Sequence, residues 1–343
     1  MSVPVYEVFA IRVGANAQRT AKENFLYDAC CGDPNAPMPL DYYFWVIRNE
    51  EQVIVVDTCF QPATADRRNR QMYRLPEDSL RQLDIDPTQV EHLVLTHLHW
   101  DHAGNLGLFP TATVHLQEAE LRFCTGPKMA HRTVNKTYEV EDVMSALPPL
   151  FEGRMRLHNG MVEVLPGVTL HPVGGHTPGS QVVRVNTARG WIVLASDAAH
   201  LWVNIRERSP FPILDDLAQT LEAFSEIDRL ADGEDHVIPG HDPLIAERFA
   251  HWNDDPHIIC LHQPPVRVTF KTCRSRLAGE GGGPFSIDVT DTSLSRAGFG
   301  STLMFEDFAQ RLQRLIDPRR VRCPATHSHE VIKVPGIGKD IPR

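Results

Sequence analysis

A chain of 343 residues, 42% hydrophobic and 23% charged, has the composition of a globular protein able to bury a sizeable core. Its net charge of −10 argues against a broad phosphate-binding surface, which sets nucleic acid aside as a partner. No apolar run approaches the ~18 residues of a membrane span, the opening MSVPVYEVFAIRVG lacks a leader's basic and apolar regions, and seven scattered cysteines without a C-x-x-C pair read as reduced thiols, so a cytoplasmic protein is expected.

Short apolar runs between turn signals predict strands at Val5–Val13, Tyr42–Arg48, Val53–Asp57, His92–Thr96, Thr113–Leu116, Val168–Pro172, Gln181–Val185 and Trp191–Ala195. Helical spacing predicts helices over Pro76–Leu83, Gln117–Phe123 and Asp215–Leu230, the last with a core-facing stripe of Leu217, Leu221, Phe224, Ile227 and Leu230. Strands, then helices, twice over, predict two sheets packed face to face under helical layers. The aromatic run Tyr42 to Trp45 must alternate across its sheet, so at most half of it can line a pocket. Segment 124–160 is long for a connection and reads as a candidate lid.

Composition changes near residue 253. Residues 254–343 carry 13 Lys/Arg against 10 Asp/Glu, which leaves residues 1–253 at −13. A Gly-rich stretch over 279–284 reads as a flexible connection. Beyond it Phe305, Phe308, Ala309, Leu312, Leu315 and Ile316 predict one amphipathic helix, stopped by Asp317-Pro318. The expectation is a catalytic domain over 1–253 and an extension over 254–343 that serves as an appendage or a homodimer element.

The densest chemistry follows the strand that ends at Thr96. His97 and His99 are two apart, so an extended loop points both the same way; Asp101 and His102 then turn toward a second position, with Gly104 permitting the turn. Imidazole and carboxylate without thiolate suit zinc or another borderline divalent ion. His176 sits in the turn Gly174-Gly-His-Thr-Pro-Gly-Ser180, Asp197 follows the strand ending at Ser196, and His241 follows Val237-Ile-Pro-Gly240. Taken in order, these complete two coordination spheres. His115, His131, His158, His171 and His251 stand outside the pattern and read as ordinary polar or partly buried histidines.

In the order H-x-H-x-D-H, G-H-T-P-G, S-D and P-G-H, residues 1 to about 250 resemble the metallo-β-lactamase superfamily. The resemblance implies an α/β fold of αββα type, two packed mixed sheets flanked by helices, with metals at one sheet edge. It implies two divalent ions, expected to be zinc: His97, His99 and His176 on the first, Asp101, His102 and His241 on the second, with Asp197 bridging them. Two such cations can hold a shared hydroxide acidified from pKa ~15.7 toward ~7, which attacks a carbonyl, while Asp101 passes a proton to the leaving group.

Finer features are similar to the N-acyl homoserine lactonase branch: Met38–Phe44, Val55-Val-Asp-Thr-Cys-Phe60, Trp100 within the histidine motif, Ser196-Asp-Ala-Ala-His200 and Pro239-Gly-His-Asp-Pro243. That branch implies a small-molecule lactone substrate and, in bacteria, quorum quenching. Where its best-matched members place a tyrosine three residues after the bridging aspartate, this chain has His200, read either as a catalytic donor to the lactone or as a residue that only hydrogen-bonds inside the cleft wall. The alternatives are another hydrolase of the fold (thioester, glyoxalase II-like or phosphoester) or a metal- or ligand-binding protein without catalysis. No basic cluster of the kind a glutathione thioester would need is evident in the sequence.

Overall fold

Side-chain alternation along one strand decides the layering. In β2 (Leu40–Arg48), Tyr42, Phe44 and Val46 pack into one hydrophobic cluster, while Tyr43, Trp45 and Ile47 pack into another on the opposite face. Both faces are buried, as a strand between two covered layers requires. The chain, described here by a computed structural model over residues 3–27 and 33–266, builds its layers around that strand.

The first sheet takes β1 (Glu7–Asn16), β2, β3 (Val53–Val56), β4 (Gln71–Met72), β5 (His92–Val94), β6 (Thr113–Gln117) and β7 (Met155–His158). The second takes β8 (Val162–Leu165), β9 (Val168–Pro172), β10 (Gln181–Thr187), β11 (Gly190–Ser196) and β12 (Val237–Pro239); β13 (Ile258–Cys260) returns to the first. The first sheet runs β13-β1-β2-β3-β5-β6-β7, with β4 paired to β1, and the second β12-β11-β10-β9-β8. β3, β5, β6 and β7 are mutually parallel, and the antiparallel second sheet gains a parallel edge where β12 meets β11. Both sheets are therefore mixed.

Between them lie Tyr43, Trp45, Ile54, Val56 and Val94 from the first sheet against Leu170, Val183, Ile192 and Leu194 from the second. Outside the first sheet, Phe9, Phe44, Leu93 and Val114 meet Ala65, Leu80 and Leu121 of the covering helices. Outside the second, Val182, Val193 and Ala195 meet Ala223, Phe224, Ile227 and Leu230 of the helix Leu217–Leu230, capped by Asp216, which accepts from the Gln219 N–H. The order is αββα, as the sequence implies.

Segment 124–160 is made of short helices and β7, and its Tyr138 is buried. Residues 258–260, expected in the extension, form the edge strand of the first sheet beside β1, so the folded unit reaches beyond residue 253. The Gly-rich connection and the amphipathic helix over 305–316 lie outside the described residues. Among the described residues no helix is long and apolar enough to cross a membrane.

Candidate metal centre

Loops from both sheets meet at one end of the sandwich. Four residues follow β5: His97, His99, Asp101 and His102. Three come from the second sheet: His176 between β9 and β10, Asp197 after β11 and His241 after β12. All seven are buried. Ligand-type atoms of His97, His99, His176 and Asp197 lie within 4.8 Å of one another, as do those of Asp101, His102 and His241. Every site residue expected from the sequence is in this cluster, including His200, which groups with Asp197 and His241.

Asp197 stands at the centre. Its Oδ1 lies 2.8 Å from His241 Nε2 and 3.1 Å from His102 Nε2; its Oδ2 lies 3.2 Å from His176 Nε2, 3.1 Å from His200 Nε2 and 3.8 Å from His97 Nε2. Each carboxylate oxygen thus faces a different set of imidazoles. Asp101 reaches toward the Oδ1 side, 3.8 Å from His102 Nε2 and 3.9 Å from His241 Nε2.

The outward ring nitrogens are tied down. His102 Nδ1 donates to Asp57 Oδ2 at 2.8 Å, His176 Nδ1 to the Ile213 carbonyl at 2.8 Å and His241 Nδ1 to the Asp41 carbonyl at 2.7 Å; His97 Nδ1 pairs with Thr96 Oγ1 at 3.2 Å. Each contact turns Nε2 inward, as outer partners do for metal-bound imidazole. The inward Nε2 atom of His97 is buried with no hydrogen-bond partner. Buried nitrogens without partners are costly, and lone pairs aimed at a shared space fit a cation. The residues present therefore fit a divalent metal.

Charge divides the cluster. Burial and the neighbouring imidazoles hold His97 and His99 well below the usual histidine pKa, so both are neutral at pH 7. Burial also opposes charge on His102 and His241, but Asp197 outweighs it, with Asp57 and Asp101 helping at His102 and Asp101 at His241, and both are raised. Burial works against the Asp197 carboxylate, yet His200, His241, His102 and His176 together hold it well below the usual range.

Residues 38–241 match the metallo-β-lactamase superfamily. The chain belongs to this superfamily. Within it, an N-acyl homoserine lactonase of Bacillus cereus is 25% identical over 227 residues, covering 62% of this chain and 82% of the relative. A probable metallo-hydrolase of Mycobacterium tuberculosis is 24% identical over 259 residues, covering 69% and 79%. Among solved structures, a quorum-quenching N-acyl homoserine lactone lactonase superposes with a TM-score of 0.59 at 24% identity, covering 71% of this chain and 95% of that one. A second such hydrolase, solved with the product N-hexanoyl-L-homoserine at its catalytic metal centre, gives 0.57 at 23%, with the same coverage. These two likenesses establish the metallo-β-lactamase fold.

Two buried carboxylates support this metallo-β-lactamase site: Asp57, quoted in a motif above without a role, and Glu120, which the sequence did not single out. Asp57, just past β3, accepts from the Thr96 N–H at 2.8 Å and from His102 Nδ1. It is held at φ 63°, and Ser196, before Asp197, at φ 46°; such left-handed non-glycine residues gather where a site over-determines its backbone. Glu120, on the helix Glu118–Cys124, accepts from the Leu98 N–H at 3.0 Å, Thr177 Oγ1 at 2.5 Å and the Tyr138 hydroxyl at 3.1 Å. It joins the loop of His97 and His99 to the loop of His176, and the Tyr138 ring meets His99 edge-on at 4.6 Å. Burial raises the Glu120 pKa against these donors.

Gly104 serves close approach: a Cβ there would come within 2.8 Å of the Cys59 carbonyl oxygen and the Phe60 Cα. Gly174 and Gly175, at φ +62° and +78°, supply the left-handed turn that presents His176. Glu120→Ala is expected to weaken metal binding about 10- to 100-fold, the range for losing an outer partner of a metal site. Metal titration of the purified variant checks this, and unchanged affinity would remove Glu120 from the supporting set.

Proposed function

We propose that the protein is a dinuclear, zinc-dependent lactonase that opens a small-molecule lactone ring, of the N-acyl homoserine lactone type. The observation carrying this reading is the division of labour at Asp197, whose two oxygens face two separate groups of inward-turned ligands. His97, His99 and His176 would hold one ion, Asp101, His102 and His241 the other, with Asp197 shared. Bound there, the ions would supply a water acidified toward neutral pH and a Lewis acid for a carbonyl oxygen. The relatives named as lactonases support the choice of substrate.

The chain's own residues do the rest. Asp101 is the ligand-set carboxylate with the greatest exposure, and it is assigned the proton that the ring oxygen takes as it leaves. His200 is buried, stacked on Phe211 at 3.7 Å and 7° between ring planes, with Nε2 beside Asp197. Burial lowers its pKa to about 3, so it is neutral at pH 7 and donates through one N–H. It is assigned the donor role toward the developing oxyanion. Hydrolysis of a lactone panel by the zinc-loaded protein, with a cephalosporin, a glutathione thioester and a phosphoester alongside, tests the reading. Cleavage of any of the last three without lactone opening would overturn it.

Metal binding should also release protons. His97 and His99, depressed by burial, carry none to release at pH 7. His102, raised well above the usual value by Asp197, Asp57 and Asp101, must shed its proton before its Nε2 lone pair can coordinate, and Asp197 and Asp101 shift His241 the same way. Apparent zinc affinity therefore rises with pH through the titration of these two groups. Calorimetry in two buffers of different ionisation enthalpy reads the proton count; zero protons released at pH 7 would contradict the raised His102 as a ligand.

A further inference from the structure

Beside the metal-ligand cluster are two guanidiniums without a carboxylate partner. The Arg19 guanidinium lies 4.7 Å from the centre of the Phe211 ring, the same ring that stacks on His200. It donates through Nε to Asn24 Oδ1 at 2.5 Å and through Nη2 to the Glu23 carbonyl. Arg70 donates through Nε to the Tyr42 hydroxyl at 2.8 Å and through Nη1 to the carbonyls of Arg68 and Asn69. Tyr42 in turn meets His241 edge-on at 5.4 Å. The Tyr42 hydroxyl sits in the combined field of Asp101, Arg70 and Arg19, so all four groups share one neighbourhood.

Among the described residues Arg184 and Arg189 likewise lie over aromatic rings without an ion pair, but over Trp191 and Phe249 rather than rings that touch the ligand cluster. Arg12 pairs with Asp41, and Arg67 and Arg68 both pair with Glu139. Among the described residues neither Arg19 nor Arg70 has such an ion pair. Both are half-buried, and their charge is offset by neutral acceptors rather than by a carboxylate within ion-pair distance. Burial and the like charge of Arg70 lower the Arg19 pKa, against Glu23 first and then Asp101 of the metal-ligand set, which raise it. Two half-buried guanidiniums therefore retain donors that no carboxylate pairs with directly among the described residues.

We propose that Arg19 and Arg70 form a subsite for a carboxylate group on the substrate, beside the metal-ligand cluster. A guanidinium matches a carboxylate in shape and charge, and each residue keeps one nitrogen outside the hydrogen bonds described, Nη1 of Arg19 and Nη2 of Arg70. The preferred substrates are then lactones carrying an ionised carboxylate, in which the ring carbonyl goes to the metal-ligand cluster and the charged group to the arginines. Phe211 and Tyr42 hold the two guanidiniums at set positions, and Phe211 links this subsite to His200. The inference rests on the hydrolase reading for the position of the ring and goes beyond it in the substituent, an acid in place of the neutral acylamide of an N-acyl homoserine lactone.

The test uses the zinc-loaded full chain and separates binding from turnover. Glutarate and its monoamide, glutaramate, share one carboxylate for the metals and differ only in the charge of the second group. Wild type is expected to bind glutarate at least about 10-fold more tightly by calorimetry, the scale of one charge-assisted hydrogen-bond pair. Arg19→Gln and Arg70→Gln should each cut that preference to about threefold or less, Arg19→Lys should keep part of it, and added salt should weaken glutarate more than glutaramate. Equal binding of the two ligands by wild type, or full preference surviving in both glutamine variants, would overturn the subsite. A turnover arm compares γ-butyrolactone γ-carboxylate with its carboxamide. If neither ring opens while the glutarate preference holds, the lactonase reading fails and the subsite stands. If both open equally and the preference is absent, the reverse is true.

Discussion

Asp197→Ala is expected to lose about one equivalent of metal and to reduce turnover more than about 1000-fold, since losing a mere outer partner of a metal site already costs 10- to 100-fold. Both carboxylate oxygens are engaged, one side facing His102 and His241 and the other His97, His176 and His200. Alanine removes that shared anion from a buried cluster of imidazoles. His102 and His241 lose the largest influence raising their pKa, so they should lose affinity for protons as well as for metal. Elemental analysis after zinc loading and dialysis, beside the steady-state rate, reads both effects. His115→Ala is the control, because His115 bonds only to His92 and His158 in a separate row of three rings on β5, β6 and β7. Retention of two ions by Asp197→Ala would end the bridging assignment.

His200→Ala is expected to cost about 10- to 1000-fold in lactone turnover, the range for deleting one preorganised donor to an oxyanion, with metal content unchanged. The pH behaviour separates this role from general acid catalysis by an imidazolium. With its pKa pushed down to about 3, His200 stays neutral from pH 6 to 9, so the loss should be uniform across that range. His200→Tyr keeps a donor on a ring able to lie against Phe211 and should keep activity. Loss of an ion by the alanine variant would instead make His200 a ligand, consistent with its place beside Asp197 and His241. A wild-type rate across the range would leave it with packing alone.

The ligand set was legible because each member directly follows a strand or sits in a glycine turn, so residue type and position coincide in a few local words. The sheets were legible where strands are long and buried, as in β2, β10 and β11. β4, with two residues, and β13, with three, are too short to show a period, and only their pairing with β1 makes them strands. β8 carries a weak pattern because none of its residues is fully buried. Asp57 and Glu120 could not be assigned, since the loops they join come together only on folding. The two guanidiniums near Tyr42 were missed for the same reason. In a chain at −13 over its first 253 residues, they form a positive locus that an overall charge conceals.

The origin of the seven ligands has a mechanical consequence. Four belong to a loop of one sheet and three to loops of the other, so any ion held among them works as a rivet through both layers. The protein's own links at this end are hydrogen bonds, among them Thr96 Oγ1 to Ser196 Oγ at 2.9 Å, Gln181 to the backbone at Leu95 and Thr96, Leu98 and Thr177 through Glu120, and His241 to Asp41. Filling a site at a hundred times its dissociation constant adds about 2.7 kcal/mol to the folded state, and that gain acts against sliding or parting of the sheets. Stripped of metal, the sandwich should hinge open at the ligand end while Tyr6, Val8 and Ile259 keep other parts of the intersheet core closed. Amide exchange would then quicken first in β11 near Ser196 and in β5 near Val94, drawing the boundary of the riveted region residue by residue.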